Sequence, residues 1–221
     1  MDMTTAEAAG RLGVSQRQVE RLVTAGVLNP TQIVGRTWMV DAASVQKLAV
    51  MTRQKGRPWQ EATAWAGLWL LSGLEVAWVD GQTCRRLNRR LKVMGAAELS
   101  WACRGRARVE RYRASRSFFY ALSTRFRATG SNAVEVGRDM LAPDGETVDA
   151  YVTAAERDAA VVECFLTPDR EGNVTLRVTD LPAVEAWQGK MPVAVVGLDL
   201  SESTDPRESA AGARLLEGLL R

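Results

Sequence analysis

The residues whose types and spacing could do chemistry are two arginines and a glutamine close together. They are Arg17, Gln18 and Arg21, within SQRQVERLV at 15–23. A guanidinium offers a planar fork of donors that fits a phosphate or a guanine edge, and a primary amide fits an adenine edge. At 100° per residue, Arg17, Arg21 and Thr24 share one side of a helix and Val19, Leu22 and Val23 the other. Gln18 and Glu20 flank the polar side; Glu20 suits either a cytosine amino group or a neighbouring arginine. This is chemistry of recognition, and little else in the chain suggests catalysis. There is no histidine, which removes Ser-His-Asp and Cys-His catalysis, HExxH metal sites and the commonest general base. The phosphate-loop, dinucleotide and nucleophile-elbow patterns are absent, and no carboxylate pair stands out. Cys84, Cys103 and Cys164 are widely spaced, odd in number and without CxxC, which points to a reducing cytoplasm rather than to zinc or disulfides. The expectation is a protein that is not an enzyme and holds no cofactor and no metal.

The elements around these residues are legible. Thr4 and Glu7 form a T-x-x-E capping box for a helix running to about Leu12. Gly13 and Val14 make a turn, with Gly13 in the left-handed conformation. Ser15 caps a second helix that runs to Ala25 and stops at Gly26. Two β-prone segments follow, Ile33-Val34 and Trp38-Met39-Val40, joined by Gly35-Arg36 as a tight hairpin. Asp41 caps a further helix from Ser44 to Val50. That order is a winged helix-turn-helix, whose second helix lies in the major groove. Its expected DNA contacts are Ser15, Gln16, Arg17, Gln18 and Arg21 on the second helix, Arg36 and Thr37 on the wing, and Lys55 and Arg57 beyond it. The runs TAEAAGRLGVSQRQVERLVTAGVL and GRTWMV resemble the winged helix-turn-helix of excisionase-like and MerR-like regulators. A small packing or protein-interaction domain is the competing reading.

Charge divides the chain. Residues 1–50 are net +1; residues 51–129 hold 16 basic and 5 acidic residues, net +11; residues 130–221 are net −9. The expected organisation is a DNA-binding domain over 1–50, a basic linker over 51–58 and an α+β domain over 59–221, basic in its first half and acidic in its second. A length of 221 residues supports two cores. Lys55-Gly56-Arg57-Pro58 matches the core of an AT-hook, although Pro58 also suits the first position of the next helix, the simpler reading. Residues 59–72 predict a centrally buried helix ending at Gly73, its tryptophans in the core. TCRRLNRRLKVMG predicts a basic amphipathic helix with Leu87 and Leu91 on its apolar face. RGRARVERYRAS has strand character and carries Arg104, Arg106, Arg108, Arg111 and Arg113. Ser115 suits the cap of a helix over SRSFFYALSTRF. These arginines have three candidate destinations: a DNA backbone, RNA, or an acidic protein surface that includes this chain's own tail. The start MDMTTAEAAG lacks the features of a signal peptide, and the apolar run Ala66–Leu71 is too short for a bilayer. A cytoplasmic protein without a membrane partner is expected.

In the last third, ECFLT from Glu163 and NVTLRV from Asn173, joined by PDREG, predict an antiparallel hairpin. Thr153 to Val161 predicts a helix. Pro192 to Leu200 is an apolar segment, and Thr204 or Asp205 caps a final helix with Pro206 at its first position. The tail, with Asp199, Leu200, Ser203, Asp205, Pro206, Arg207, Gly212, Leu215 and Leu216, resembles the end of AbiEi-type antitoxins. The resemblance implies α+β architecture with an N-terminal winged helix-turn-helix followed by a mixed helical and antiparallel-strand domain. It also implies an antitoxin and transcriptional autorepressor, paired with a nucleotidyltransferase-like toxin that holds the catalytic chemistry. The expected partners are double-stranded DNA at an inverted-repeat operator, that toxin, and a second copy in a homodimer. The alternatives are a stand-alone regulator whose C-terminal domain senses a ligand or partner, and an enzyme or RNA-binding adaptor.

Overall fold

Capping residues set the first unit. In the computed structural model, which describes residues 2–34, 37–52, 57–133, 147–203 and 205–221, the strand β1 (Asp2–Thr4) runs directly into α1 (Thr5–Leu12). Thr4 and Glu7 exchange both bonds of the capping box: the Glu7 amide donates to Thr4 Oγ1 at 3.2 Å and the Thr4 amide to Glu7 Oε2 at 2.7 Å. The Thr4 amide and the Thr4 hydroxyl, both donating to Glu7 Oε2, hold the Glu7 carboxyl below its usual range. Gly13 closes α1 at φ 67, where a side chain would be strained. Ser15 then accepts from the Gln18 amide at 3.2 Å and opens α2 (Gln16–Thr24). β2 (Pro30–Val34) and β3 (Thr37–Asp41) pair antiparallel, and β1 lies on the other side of β3. Asp41 accepts from the amides of Ala43 and Ser44, at 3.2 and 2.9 Å, and starts α3 (Ala42–Thr52), longer at both ends than the pattern over 44–50 suggests. Ala8, Val19, Val23, Leu28, Val40 and Val45 form the core. β1 has no sequence signature, because three residues are too few to show a period.

The chain divides into two compact units, Met1–Arg57 and Pro58–Arg221. The second runs through α4 (Glu61–Leu71), α5 (Gly81–Leu91), α6 (Ala96–Cys103), β4 (Arg108–Arg113), α7 (Phe119–Arg125), β5 (Arg127–Ala128), β6 (Val148–Val152), α8 (Ala154–Glu163), β7 (Thr167–Pro168), β8 (Val174–Val178), α9 (Pro182–Glu185), α10 (Val193–Ser201) and α11 (Pro206–Leu219). It is a mixed α+β unit. Pro58 does not open α4. The Trp59 amide donates to the Ala102 carbonyl at 2.8 Å, which keeps the chain extended until Gln60 caps the helix. α4 is buried as expected, and Trp69 meets Trp65, Trp78 and Trp187 edge-on at 5.3–5.6 Å. Ser115 precedes a short 3-10 turn ahead of α7 and makes no side-chain cap bond.

Among the described residues, the strands lie in the order β5-β6-β8-β4-β7. β6 and β8 are parallel, so the domain is not purely antiparallel. The expected hairpin of 163–167 with 173–178 does not form. Glu163 ends α8, and β4 lies between β7 and β8, pairing with both. The short loop from β7 to β8 wraps over the end of β4. It is pinned there by Asn173, which accepts from the Ala114 amide at 2.9 Å and donates to the Ala114 carbonyl at 3.0 Å. Gly172 passes so close to the Tyr112 carbonyl that a Cβ would collide with it. Strand alternation divides the side chains. Val148, Ala150, Val152, Val174, Leu176 and Val178 join a core with Phe119 and Leu122 of α7 and Ala160 of α8. Of the intervening residues Tyr151 and Arg177 are buried and Asp149 is half-buried, and their polar atoms bond to one another's partners in a single ionic cluster.

Candidate nucleic-acid interface

α2 is held by its apolar side. Val19 and Val23 are buried against α1, and the Gln16 amide donates to the buried Thr5 hydroxyl at 3.0 Å. Gln16 therefore fastens α2 to α1, and Ser15 acts through its cap. The other side of α2 is open. Arg17 is exposed and has no polar partner among the described residues. Arg21 is exposed and donates to the half-buried Gln18 Oε1 at 3.4 Å, a weak contact that a ligand can replace. Thr24 is exposed, its hydroxyl turned back onto the Glu20 carbonyl at 3.0 Å. The structure thus brings Arg17, Gln18 and Arg21 together on one solvent-facing surface. Arg36 and Lys55 lie outside the described residues. Thr37 begins β3 opposite Val34, and its side chain lies outside the described residues. Arg57 is exposed just ahead of Pro58.

The arginines of the second unit separate into two groups. Most have internal partners: Arg90 with Glu98 at 3.1 Å, Arg108 with Glu110 at 2.7 Å, Arg113 with Asp169 at 2.5 Å, Arg125 with Glu163, and Arg127 with Glu156 at 3.2 Å. Arg104 lies over the Trp101 ring at 3.6 Å. For these the acidic surface is the chain's own. Arg85, Arg86, Arg89 and Lys92 on or just beyond α5 are exposed and make no ion pair among the described residues.

One cluster has no counterpart in the sequence reading. Arg106 and Arg177 are buried, and between them they pair with Asp149, Asp199 and Glu202, while Tyr151 accepts from Arg106 Nε at 2.9 Å and donates to Asp199 at 3.1 Å. Asp199 also accepts from the buried Thr129 hydroxyl. Burial opposes charge on the guanidiniums, but the surrounding carboxylates and Tyr151 hold Arg106 well above its ordinary range. Each carboxylate is held by a guanidinium. Among the described residues no group of three or more metal-ligating side chains is arranged to hold an ion. The signal was there in part: Asp149, Arg177 and Asp199 each interrupt a run of apolar residues.

The decisive comparison concerns the first unit. Residues 3–49 match the helix-turn-helix domain family. No curated protein and no solved structure matches the chain. In that helix-turn-helix domain α1 and α2 are the two helices, and the Arg17–Gln18–Arg21 surface belongs to the second. The match stops before α4, so it says nothing of the second unit. The residues that resemble an antitoxin tail have visible structural roles. Asp205 accepts from the Arg207 and Glu208 amides at 2.6 and 3.3 Å and caps α11, with Pro206 at its first position. Gly212 faces the α10 backbone at Gly197, Leu200 and Ser201, where a Cβ would collide. Leu216 is buried in the core. Among the described residues no helix is long and apolar enough to cross a membrane.

Proposed function

We propose that this chain is a DNA-binding transcription regulator that reads a major groove with α2. The observation that carries the reading is the pairing of a helix-turn-helix family match with an α2 surface on which Arg17 and Arg21 stand exposed opposite buried Val19 and Val23. Arg17 and Arg21 contact guanine edges or phosphates, and Gln18 contacts an adenine edge. Ser15 and Gln16 fix the approach of the helix. The β2–β3 hairpin serves as the wing, carrying Arg36 and Thr37 to the backbone or minor groove, and Lys55 and Arg57 extend that contact. The protein works in the cytoplasm as a homodimer on an inverted repeat, and is not an enzyme. Footprinting the duplex upstream of its own gene tests this. A protected inverted repeat is expected, and a uniformly cleaved duplex at saturating protein would contradict it.

The second unit acts as an antitoxin module, and the regulator is an autorepressor opposing a nucleotidyltransferase-like toxin. The support is the tail resemblance through Asp199, Asp205, Pro206, Arg207 and Gly212. Co-expression decides this part. The chain should restore growth to cells producing the product of the adjacent gene; unrelieved toxicity, or an adjacent gene that is harmless, would leave a stand-alone regulator. One observation favours that alternative: an open depression of about 530 Å³ beside Phe118 and the exposed Phe165, lined also by Arg113 and Ser115.

A further inference from the structure

Most of the charge on α5 has no carboxylate partner among the described residues, unlike the charge on the neighbouring basic strand. From Gly81 to Ala97 the chain has five cations and no carboxylate. Of the five, Arg90 reaches Glu98 at 3.1 Å; the other four are exposed and make no ion pair among the described residues, Arg86 donating only to the Thr83 hydroxyl at 3.5 Å. A surface helix built only for solubility interleaves both signs. Leu87 and Leu91 bury the opposite side of α5, and Asp80 caps it by accepting from the Thr83 amide at 2.9 Å, so the cations stand on a fixed support.

We propose that this face of α5 binds the phosphodiester backbone of duplex DNA, as a second contact made by the same chain. Arg85, Arg89 and Lys92 follow one another at i, i+4 and i+7. A rise of 1.5 Å per residue spaces them about 6 Å and then about 4.5 Å apart along the axis, within reach of successive phosphates for side chains of this length. Gln82 and Asn88, with Arg85 and Arg89, line a shallow depression of about 510 Å³, and both amides can donate to phosphate oxygens. Single-stranded nucleic acid is held by aromatic platforms as well as by charge. α5 carries no aromatic residue, so backbone contact to a duplex is the better fit. The need is plain: residues 1–50 are net +1, little for a domain whose affinity comes mainly from neutralised phosphates. Two surfaces in one chain make the second contact intramolecular.

The proposal rests on the DNA-binding reading of α2, and one titration series separates them. The full chain is titrated by fluorescence anisotropy onto a random-sequence duplex and onto its own upstream duplex, between roughly 50 and 200 mM salt. The R85Q/R86Q/R89Q/K92Q variant should bind both duplexes about tenfold or more weakly, with a salt slope shallower by about 3, since each lost phosphate contact removes about 0.9. R85K/R86K/R89K should keep the wild-type slope. R108Q/R113Q, which removes cations already paired, should change it by less than about one. The R17A/R21A variant should lose preference for the upstream duplex and keep the α5-dependent slope. A wild-type slope in the quadruple variant, with preference still lost in R17A/R21A, would overturn the α5 contact and leave the α2 reading standing. Equal weakening by the Gln and Lys variants would overturn it too, as would α5-dependent binding stronger on single-stranded RNA than on duplex. A wild-type chain that binds neither duplex would overturn both readings.

Discussion

Asp199 shows how much of this protein is decided residue by residue. Its side chain is 0% exposed and lies between Arg106 and Arg177, with Tyr151 and Thr129 donating to it. Asp199→Ala leaves two buried guanidiniums short of a counter-charge and should cost about 3–5 kcal/mol in urea unfolding. A loss below about 1 kcal/mol would mean that water or Glu202 compensates in full. The cluster also carries a pH signature. Burial raises the Glu202 carboxyl, but Arg106 and Arg177 outweigh that and pull it down from 4.5 to about 2. A carboxyl depressed in the folded state stabilises above its unfolded value, and that stability is lost as pH falls from about 4.5 towards 2. Asp149, raised chiefly by burial, works in the opposite sense. Glu202→Gln should therefore flatten the fall of the urea midpoint between pH 5 and roughly 2; an unchanged slope would contradict the assignment. Little of this was legible in sequence beyond Asp149, Arg177 and Asp199 as charges set in apolar runs. Arg106 reads there as one more member of a basic run, because its partner Asp199 is 93 residues away.

At the scale of elements, legibility followed the range of the interactions that define each one. The caps of α1, α2, α3 and α11 depend on contacts two to three residues apart; Thr4, Ser15 and Asp41 announce theirs, and Asp205 is one of the two residues the sequence offers for the last. The order of the sheet depends on distant strands, and the local pairing of 163–167 with 173–178 gives way to β4. Glycines mark where elements approach most closely. Gly212 lets α11 lie against the α10 backbone, so Gly212→Ala should overpack that crossing and destabilise by about 1–3 kcal/mol. At about 2–4 °C per kcal/mol for a chain of this size, the melting temperature should fall visibly. An unchanged melting temperature would show that the crossing can widen at no cost. The same helix pair carries the residues that resemble an antitoxin tail, which explains their pattern through folding whatever the unit binds.

Across the whole chain, formal charge is a poor guide to available charge. Net +11 over residues 51–129 suggests a broad polyanion surface, yet Arg106, Arg108, Arg113, Arg125 and Arg127 are all paired with carboxylates of the same chain. Among the described residues of that stretch, the cations without a carboxylate partner are concentrated on α5. The exposed basic face of α2 was legible, since a helix period places Arg17 and Arg21 opposite Val19 and Val23 without tertiary information. The role of Gln16 was not, because its bond to Thr5 depends on how α1 and α2 meet. The most direct test of the central claim is the ratio of affinities for the upstream duplex and a scrambled duplex of equal length, at one salt concentration, for wild type and R17A/R21A. A bidentate contact to the right base contributes about 1–3 kcal/mol of discrimination. The wild-type ratio should therefore be large, and R17A/R21A should lower it by about tenfold or more. Equal ratios in the two proteins would contradict the account.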